Sequence, residues 1–335
     1  MKVGILYNPR PLESAAGAPD DAFEEYDGPE TIAAIAGALR GLGVESVAVE
    51  AGADFPARLQ QERVEFVFNI AEGAGRRCRE AVPAAICEFL GLPYSGSDPL
   101  TLGATLDKYV ARRIVSPDVP IARGVLVEDA DDEAAIRQLA FPVVVKPNDE
   151  GSSKGIGPQS FCRDAEEAAL QCRWLREHHD YQLLVEEFLP GAEVTAGILG
   201  NRSDAHVLAL MEIAPAGQSA GPFLYSIETK RDYLRQVRYH IPPRLGPREL
   251  CEIELLALTA YRLLGCRDFA RIDFRLDAAG QPRFLECNPL PGLNPVSSDL
   301  VILSRDVLPY DRLIQGIFLA AARRVKLSMH LEKDP

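Results

Sequence analysis

The sequence predicts an α/β protein with a parallel-sheet first domain and, near its end, a β-hairpin with one polar face. Three observations carry this. Apolar strand runs alternate with helical spacing through the first third of the chain. A buried run, Val143-Val144-Val145, leads directly into Lys146-Pro147 and a glycine-serine loop. Residues 271–288 alternate apolar and polar side chains on both sides of a short turn.

Taken in order, residues 2–7 read as a buried strand, 8–26 as a loop rich in Pro, Ala and Asp, and 29–42 as a helix. That helix has apolar residues at 32, 35, 36, 39 and 42, starts at Gly28-Pro29 and stops at Gly43. Strands follow at 44–49 and 65–69, then a helix at 79–90. Such alternation implies a parallel sheet with right-handed crossovers, a Rossmann-like unit. No G-x-G-x-x-G follows the first strand, so a dinucleotide site is not expected. Loops 8–26 and 70–79 leave the strand ends where ligands usually sit. The second carries Arg76, Arg77 and Arg79 beside Glu72 and Glu80, although a solvated charged loop would read the same way. Residues 92–97, LPYSGS, read as a linker.

Composition limits the function classes. A chain of 335 residues allows two or three domains with cores of their own. Its 47% hydrophobic and 25% charged content is ordinary for a soluble globular protein. A net charge of -13 argues against nucleic acid as a partner, because phosphate contacts need a basic face. A nucleotide needs only a few local cations. Seven cysteines without a C-x-x-C pair suit reduced thiols in a cytoplasmic protein. Neither a secretory signal nor a membrane span is expected.

The hairpin carries the strongest chemistry. Side chains on one face of a strand pair repeat every second residue. With a turn at 278–281, Asp273 faces Glu286 and Arg271 faces Asn288. These four share one face; Ile272, Phe274, Leu285 and Cys287 share the other. Opposed carboxylates repel unless a cation lies between them. Two carboxylates and an amide oxygen suit magnesium, which takes few protein ligands together with substrate phosphates. The plain alternative is an exposed hairpin with its polar face in water. The Pro289-Leu290-Pro291-Gly292 that follows is not ordinary strand continuation.

Two further stretches point the same way. Lys146 projects from a buried strand, a costly placement unless it meets an anion. The loop 150–157, EGSSKGIG, can wrap phosphates with its backbone N–H groups, though such a loop alone is often only a turn. Residues 183–198, LLVEEFLPGAEVTAGI, read as a strand, a hinge from Glu186 to Leu189, and a second strand from Glu193. Glu186-Glu187 could equally be a solvated strand end.

Taken together, RIDFRLD, FLECNPLPG and these stretches resemble the ATP-grasp ligases, most closely the D-alanine–D-alanine ligases, over residues 2–310 though unevenly. The resemblance implies an ATP-grasp fold: a Rossmann-like domain at 1–97, a central subdomain with the phosphate loop at 98–186, and an α+β subdomain with the metal site at 187–330. It implies that Asp273, Glu286 and Asn288 hold two magnesium ions, with manganese able to substitute. Lys108 and Lys146 would contact the ATP phosphates, and Gly151, Ser153 and Gly155 would cover them. Glu186 would accept from the adenine amino group beside Glu187, Phe188 would pack near the purine, Leu189 would offer its backbone N–H, and Glu193 would hold the ribose. Arg271, Lys230, Gly292 and Ser152 would be catalytic: Lys230 on the γ-phosphate, Arg271 on the transferring group, the Gly292 N–H on the tetrahedral intermediate. Without the family, Lys108 could be any helix-surface lysine.

The implied activity is ATP-dependent ligation of a small carboxylate to an amine through an acyl phosphate, in a cytoplasmic homodimer. An authentic D-alanine–D-alanine ligase, another acyl-phosphate chemistry and a non-catalytic nucleotide-binding protein are the alternatives. The substrate half departs from the family. NPRPLESAAGAP lacks the Gly-Gly-x-Ser-x-Glu pattern, residues 69–73 replace a His-Gly loop, Arg231 replaces a tyrosine, and LNPVSSDL replaces Met-Thr-x-His-Ser-Leu. The expectation is a cationic pocket formed by Arg231, Lys154 and Arg76, Arg77 or Arg79, suited to a carboxylate substrate of extra negative charge or one whose amine is absent or acylated, and so not to two D-alanines. The alternative is that Glu13 or Glu72 replaces the missing glutamate and ordinary dipeptides form.

Overall fold

The computed structural model describes residues 1–11, 23–75, 77–129, 132–179, 182–217, 223–226, 229 and 231–327. Glu13, Arg76, Glu228 and Lys230 therefore lie outside the described residues.

In the first sheet β1 (Lys2–Tyr7) lies between β2 (Glu45–Glu50) and β3 (Phe66–Asn69), all parallel as the alternation predicts. Helix α1 (Pro29–Arg40) starts on a proline, whose fixed φ suits the first turn. It ends before Gly43, whose φ of 70° favours glycine. Its Ile35, Ala38 and Leu39 are buried in a core shared with Phe66, Phe68 and Phe318. Helix α2 (Phe55–Gln61) is an addition to the predicted elements, and α3 (Ala81–Phe89) falls within the predicted one. Helices α4 (Pro99–Leu106) and α5 (Lys108–Val115) follow. They start on Asp98 and Asp107, whose carboxylates accept from Thr101 N at 2.9 Å and Val110 N at 3.0 Å.

The second sheet joins β4 (Gly124–Val127), β7 (Leu183–Glu187), β5 (Val143–Pro147) and β6 (Phe161–Cys162) in that order, antiparallel throughout. Helices α6 (Glu133–Ile136) and α7 (Ala165–His179) accompany it; Ala168, Cys172 and Leu175 of α7 pack with Val143, Val145 and Val185. Glu186 and Glu187 belong to β7 rather than to a hinge.

The third sheet has the order β10-β9-β8-β11-β12, from β8 (Glu193–Leu199), β9 (His206–Pro215), β10 (Val237–His240), β11 (Phe269–Leu276) and β12 (Pro282–Asn288). Helix α8 (Tyr233–Gln236) precedes β10, and α9 (Pro247–Leu263) buries Ile253, Ala257, Ala260 and Tyr261 against the sheet. Helices α10 (Asp299–Ser304) and α11 (Tyr310–Arg324) close the chain where one helical region was predicted. Among the described residues no helix is long and apolar enough to cross a membrane.

Residues 92–97, read as a linker, pack as a fixed seam. Ser95 and Ser97 are buried, Gly96 N donates to Asp268 at 2.8 Å, and Arg324 holds the same carboxylate at 2.7 Å. The hairpin pairs Arg271 with Asn288 and Asp273 with Glu286 as read, but its register then shifts and Phe274 faces Phe284. The bulge places one extra residue, Leu285, on β12. Phe284 consequently turns into the core, edge-on to Phe274 at 6.1 Å, and Leu285 turns toward the cleft. This reverses the faces read for those two residues.

Candidate active site

The polar hairpin face is a charge cluster. Arg271 lies 2.9 Å from Asp273, 3.6 Å from Glu286 and 3.1 Å from Asp299. Burial opposes its charge, but Asp273, Asp299 and Glu286 outweigh that and raise its pKa. Asp273 also accepts from Thr195 Oγ1 at 2.8 Å, the residue beside it on β8. Burial raises the pKa of Asp273, with Arg271 opposing. Glu286 goes the other way: against its burial, Lys108 and then Arg271 bring it down to about 2. Asn288 completes the row; its Oδ1 accepts from Leu290 N at 2.9 Å, which leaves the oxygen a second lone pair. Among the described residues no group of three or more His, Cys, Asp and Glu is placed to hold a metal. Two carboxylates and one amide oxygen fit a cation that completes its shell with water and phosphate.

The residues expected to face a nucleotide gather in a cleft between the second and third sheets. Lys108, Lys146, Glu150, Ser152, Ser153, Glu186, Glu187, Phe188, Leu189, Glu193 and Asp273 all line it. Lys108 is buried at the first position of α5, 3.4 Å from Glu286, with its Nζ also donating to the Glu150 carbonyl. It is no surface lysine. Lys146 pairs with Glu186, which also receives Arg112. Burial would raise Glu186, but Lys146 and Arg112 lower it, so the carboxylate is ionised and already engaged by two cations. Glu187 accepts from Ala140 N at 2.8 Å. Phe188 lies under Arg275, 4.9 Å from its ring centre, and edge-on to Phe161. Arg275 reaches Glu193 at 3.1 Å; burial still pushes that carboxyl up to about 7.

The glycine-serine loop closes over this cleft. Ser152 and Ser153 have φ of 52° and 59°, left-handed values that few non-glycine residues adopt, and Gly155 has 71°. Ser153 Oγ donates to the Tyr225 carbonyl at 2.7 Å. Lys154 pairs with Glu25 at 2.7 Å and Glu150 at 2.6 Å, and Arg79 reaches the same two carboxylates at 3.2 and 3.3 Å. The loop is thus latched to the first domain.

Beyond the hairpin lies a second cavity of about 360 Å³. Arg271, Lys108, Glu150, Ser152, Tyr225, Glu286 and Asp299 border both spaces, so the cleft and the cavity meet at the hairpin face. Gly292 borders the cavity; a Cβ there would stand 3.0 Å from Ser298 Oγ. The cavity is not cationic as expected. Among the described residues that line it, nine side chains are acidic and four basic. The cations that suggested otherwise are taken up in pairs: Lys154 and Arg79 with Glu25 and Glu150, Arg77 with Asp107 at 2.8 Å, Arg231 with Glu24 at 2.5 Å.

Sequence reading passed over Asp299, Thr195, Arg112, Arg275, Glu25 and Glu150. Arg275 was accessible to it, since Arg271, Asp273 and Arg275 alternate on one strand. The others reach the site only through tertiary packing.

Residues 119–318 match the family model described as D-ala D-ala ligase C-terminus. The D-alanine–D-alanine ligase of Synechococcus sp. (strain JA-3-3Ab) is 35% identical over 268 residues, 78% of either chain. That of Pelotomaculum thermopropionicum is 31% identical over 308 residues, 89% of either chain. Among solved structures, the D-alanine–D-alanine ligase of Bacillus anthracis complexed with ATP superposes with a TM-score of 0.73 at 20% identity, covering 98% of this chain and 99% of that one. The VanG D-Ala:D-Ser ligase of Enterococcus faecalis gives 0.70 at 20% identity, covering 96% and 99%. These likenesses show the ATP-grasp fold.

Proposed function

This chain belongs to the D-alanine–D-alanine ligase family, whose members are ATP-dependent carboxylate–amine ligases, and on that premise we propose how its residues divide the work. The observation that carries the proposal is the meeting of cleft and cavity at Arg271, Lys108 and Glu286, with Asp273 on the cleft side of Arg271. A carboxylate in the cavity attacks the γ-phosphate of ATP in the cleft, giving an acyl phosphate and ADP. An amine then attacks the activated carbonyl, forming the amide and releasing phosphate.

Lys108 and Lys146 hold the phosphates, and Lys146 turns from Glu186 to do so. Glu186, Glu187, Phe188, Leu189 and Glu193 line the purine and ribose end. Arg271 faces the group in transfer and the Gly292 N–H supports the oxyanion, where fixed donors act most strongly. The loop at Gly151, Ser152, Ser153 and Gly155 excludes water that would hydrolyse the intermediate. Asp273, Glu286 and Asn288 would hold magnesium, two ions with manganese able to substitute, which when bound neutralises phosphate charge. Lys230, outside the described residues, keeps the γ-phosphate role that its family motif implies.

The acidic cavity supports substrates that bring an ammonium group, so amino acids are the first candidates, as in the two relatives solved. Glu72 borders the cavity and can take the place of the missing family glutamate. Exposed Phe89 and Leu100, 89% and 81% accessible, support a homodimer, which sedimentation tests. Seven free cysteines suit a cytoplasmic setting. The function is tested by phosphate release from ATP and magnesium with paired amino acids and carboxylic acids. Release that requires both partners is expected. Release that ignores the amine would contradict a ligase.

A further inference from the structure

The substrate cavity has two walls of different character. The hairpin wall carries Arg271 and Lys108 beside Glu286 and Asp299. The wall from the first domain carries Asp27, Glu72 and Glu80. Neighbouring Glu24 and Glu25 have cations of their own, Arg231 at 2.5 Å and Lys154 at 2.7 Å. Glu80 is different. It is 8% exposed, borders the cavity, and makes no hydrogen bond or ion pair with any described residue. Arg79 sits next to it in the chain but points its guanidinium at Glu25 and Glu150.

A buried carboxylate without a partner costs several kcal/mol or gives up its charge. All three acids respond in that direction. Burial pushes Glu80 up to about 7 against Arg79, pushes Asp27 up to about 7 against its hydrogen bond with Thr31, and pushes Glu72 well above the carboxylate range. Cations held at the hairpin would discharge Glu286, on the opposite wall. On this wall Arg79 and Arg10 act only from a distance, and no described cation forms an ion pair with Glu80, Glu72 or Asp27.

The reaction sharpens the point. When two neutral amino acids are joined, one ammonium becomes the amide nitrogen and only one survives. A single surviving ammonium is a poor match to three acids on one wall that have no ion pair among the described residues.

We propose that one of the two substrates carries a second positive charge, as a basic amino acid or a diamine does, and that Glu80, with Glu72 and Asp27, receives its charged end. This rests on the ligase reading and narrows its substrate class. The cavity of about 360 Å³ lies within the range of sites for small molecules, with room for a side chain longer than a methyl group.

The test is calorimetry on the full chain with ADP and magnesium present. Lysine is titrated against norleucine, and 2,3-diaminopropionate against alanine, in both enantiomers. At least one dibasic compound should bind about tenfold tighter than its neutral counterpart, about 1.4 kcal/mol. Glu80→Gln should reduce that preference below about threefold while its melting temperature stays equal or rises, because an unpaired buried charge is removed. Equal binding of dibasic and neutral compounds overturns the inference, as does a preference untouched in Glu80→Gln, Glu72→Gln and Asp27→Asn alike. Phosphate release with the same compounds separates the two claims. Turnover without charge preference leaves the ligase and removes the inference; charge preference without turnover on any pair does the reverse.

Discussion

The Arg271 guanidinium donates to Asp299 Oδ2 at 3.1 Å, at the mouth where the cleft between the second and third sheets opens into the cavity beyond the hairpin. Asp299 is the first residue of α10 and also accepts from Tyr239 OH at 3.5 Å. A long, flexible guanidinium held at one end by Asp273 and at the other by Asp299 is aimed before any substrate arrives. Asp299→Asn keeps the shape and removes the charge. The expected result is a fall in kcat of about tenfold, about 1.4 kcal/mol of barrier, with the KM for ATP changed by less than about threefold. Steady-state kinetics decide it, and an unchanged kcat would remove Asp299 from the account.

Asp273→Ala and Glu286→Ala should each leave under about a tenth of the activity, a loss above ~1.4 kcal/mol of barrier. Folding should persist, since Arg271 keeps Asp299 as a partner in either variant. The second readout is manganese binding followed by electron paramagnetic resonance in the presence of ADP. Either variant that binds manganese as the parent protein does would speak against the metal role.

The hairpin bulge predicts unequal effects at adjacent positions. Phe284 is fully buried, so Phe284→Ala should cost about 3–5 kcal/mol of stability. Leu285 borders the cleft where ATP is proposed to sit, so Leu285→Ala should cost far less and raise the KM for ATP. Chemical denaturation and kinetics on both variants test the register. The opposite order would restore the unshifted pairing.

Stability should fall as pH rises through neutrality in the absence of ligand. Asp27 has its carboxyl pushed from 3.8 up to about 7 by burial. The folded state then binds a proton that the unfolded chain releases, so this contribution is complete below about pH 4 and lost as pH climbs toward 7. Glu193, also pushed up to about 7 by burial, acts in the same window and the same direction. Asp27→Asn should therefore melt higher than the parent at pH 7.5, with the gap closing toward pH 4.5. Thermal melts across that range check it, and a gap that widens toward acid would reverse the sign.

The nucleotide half was legible in the sequence because its chemistry is local. Lys146 follows its strand directly, the loop follows Lys146, and Arg271, Asp273, Glu286 and Asn288 share a face by two-residue periodicity alone. The bulge at Leu285 escaped because alternation within each strand says nothing of an extra residue opposite. The substrate half escaped for another reason. Arg77, Arg79, Lys154 and Arg231 read as a basic cluster in the chain, yet each meets a carboxylate from a distant segment. Charge counted along a sequence does not reveal the pairs that cancel it. Asp107 and Asn148 make the same point on a smaller scale: their 2.8 Å hydrogen bond ties α5 to the end of β5 and so fixes Lys108, across a separation of 41 residues.

The central claim is that a substrate carboxylate is activated by phosphoryl transfer at the Arg271 face. It is tested most directly by following oxygen. A carboxylate substrate that turns over in the phosphate-release screen is labelled with heavy oxygen in its carboxyl group, and the released phosphate is analysed by mass spectrometry. Transfer through an acyl phosphate predicts one heavy oxygen in each phosphate formed during ligation. Phosphate carrying only oxygen from ATP and water would contradict the account.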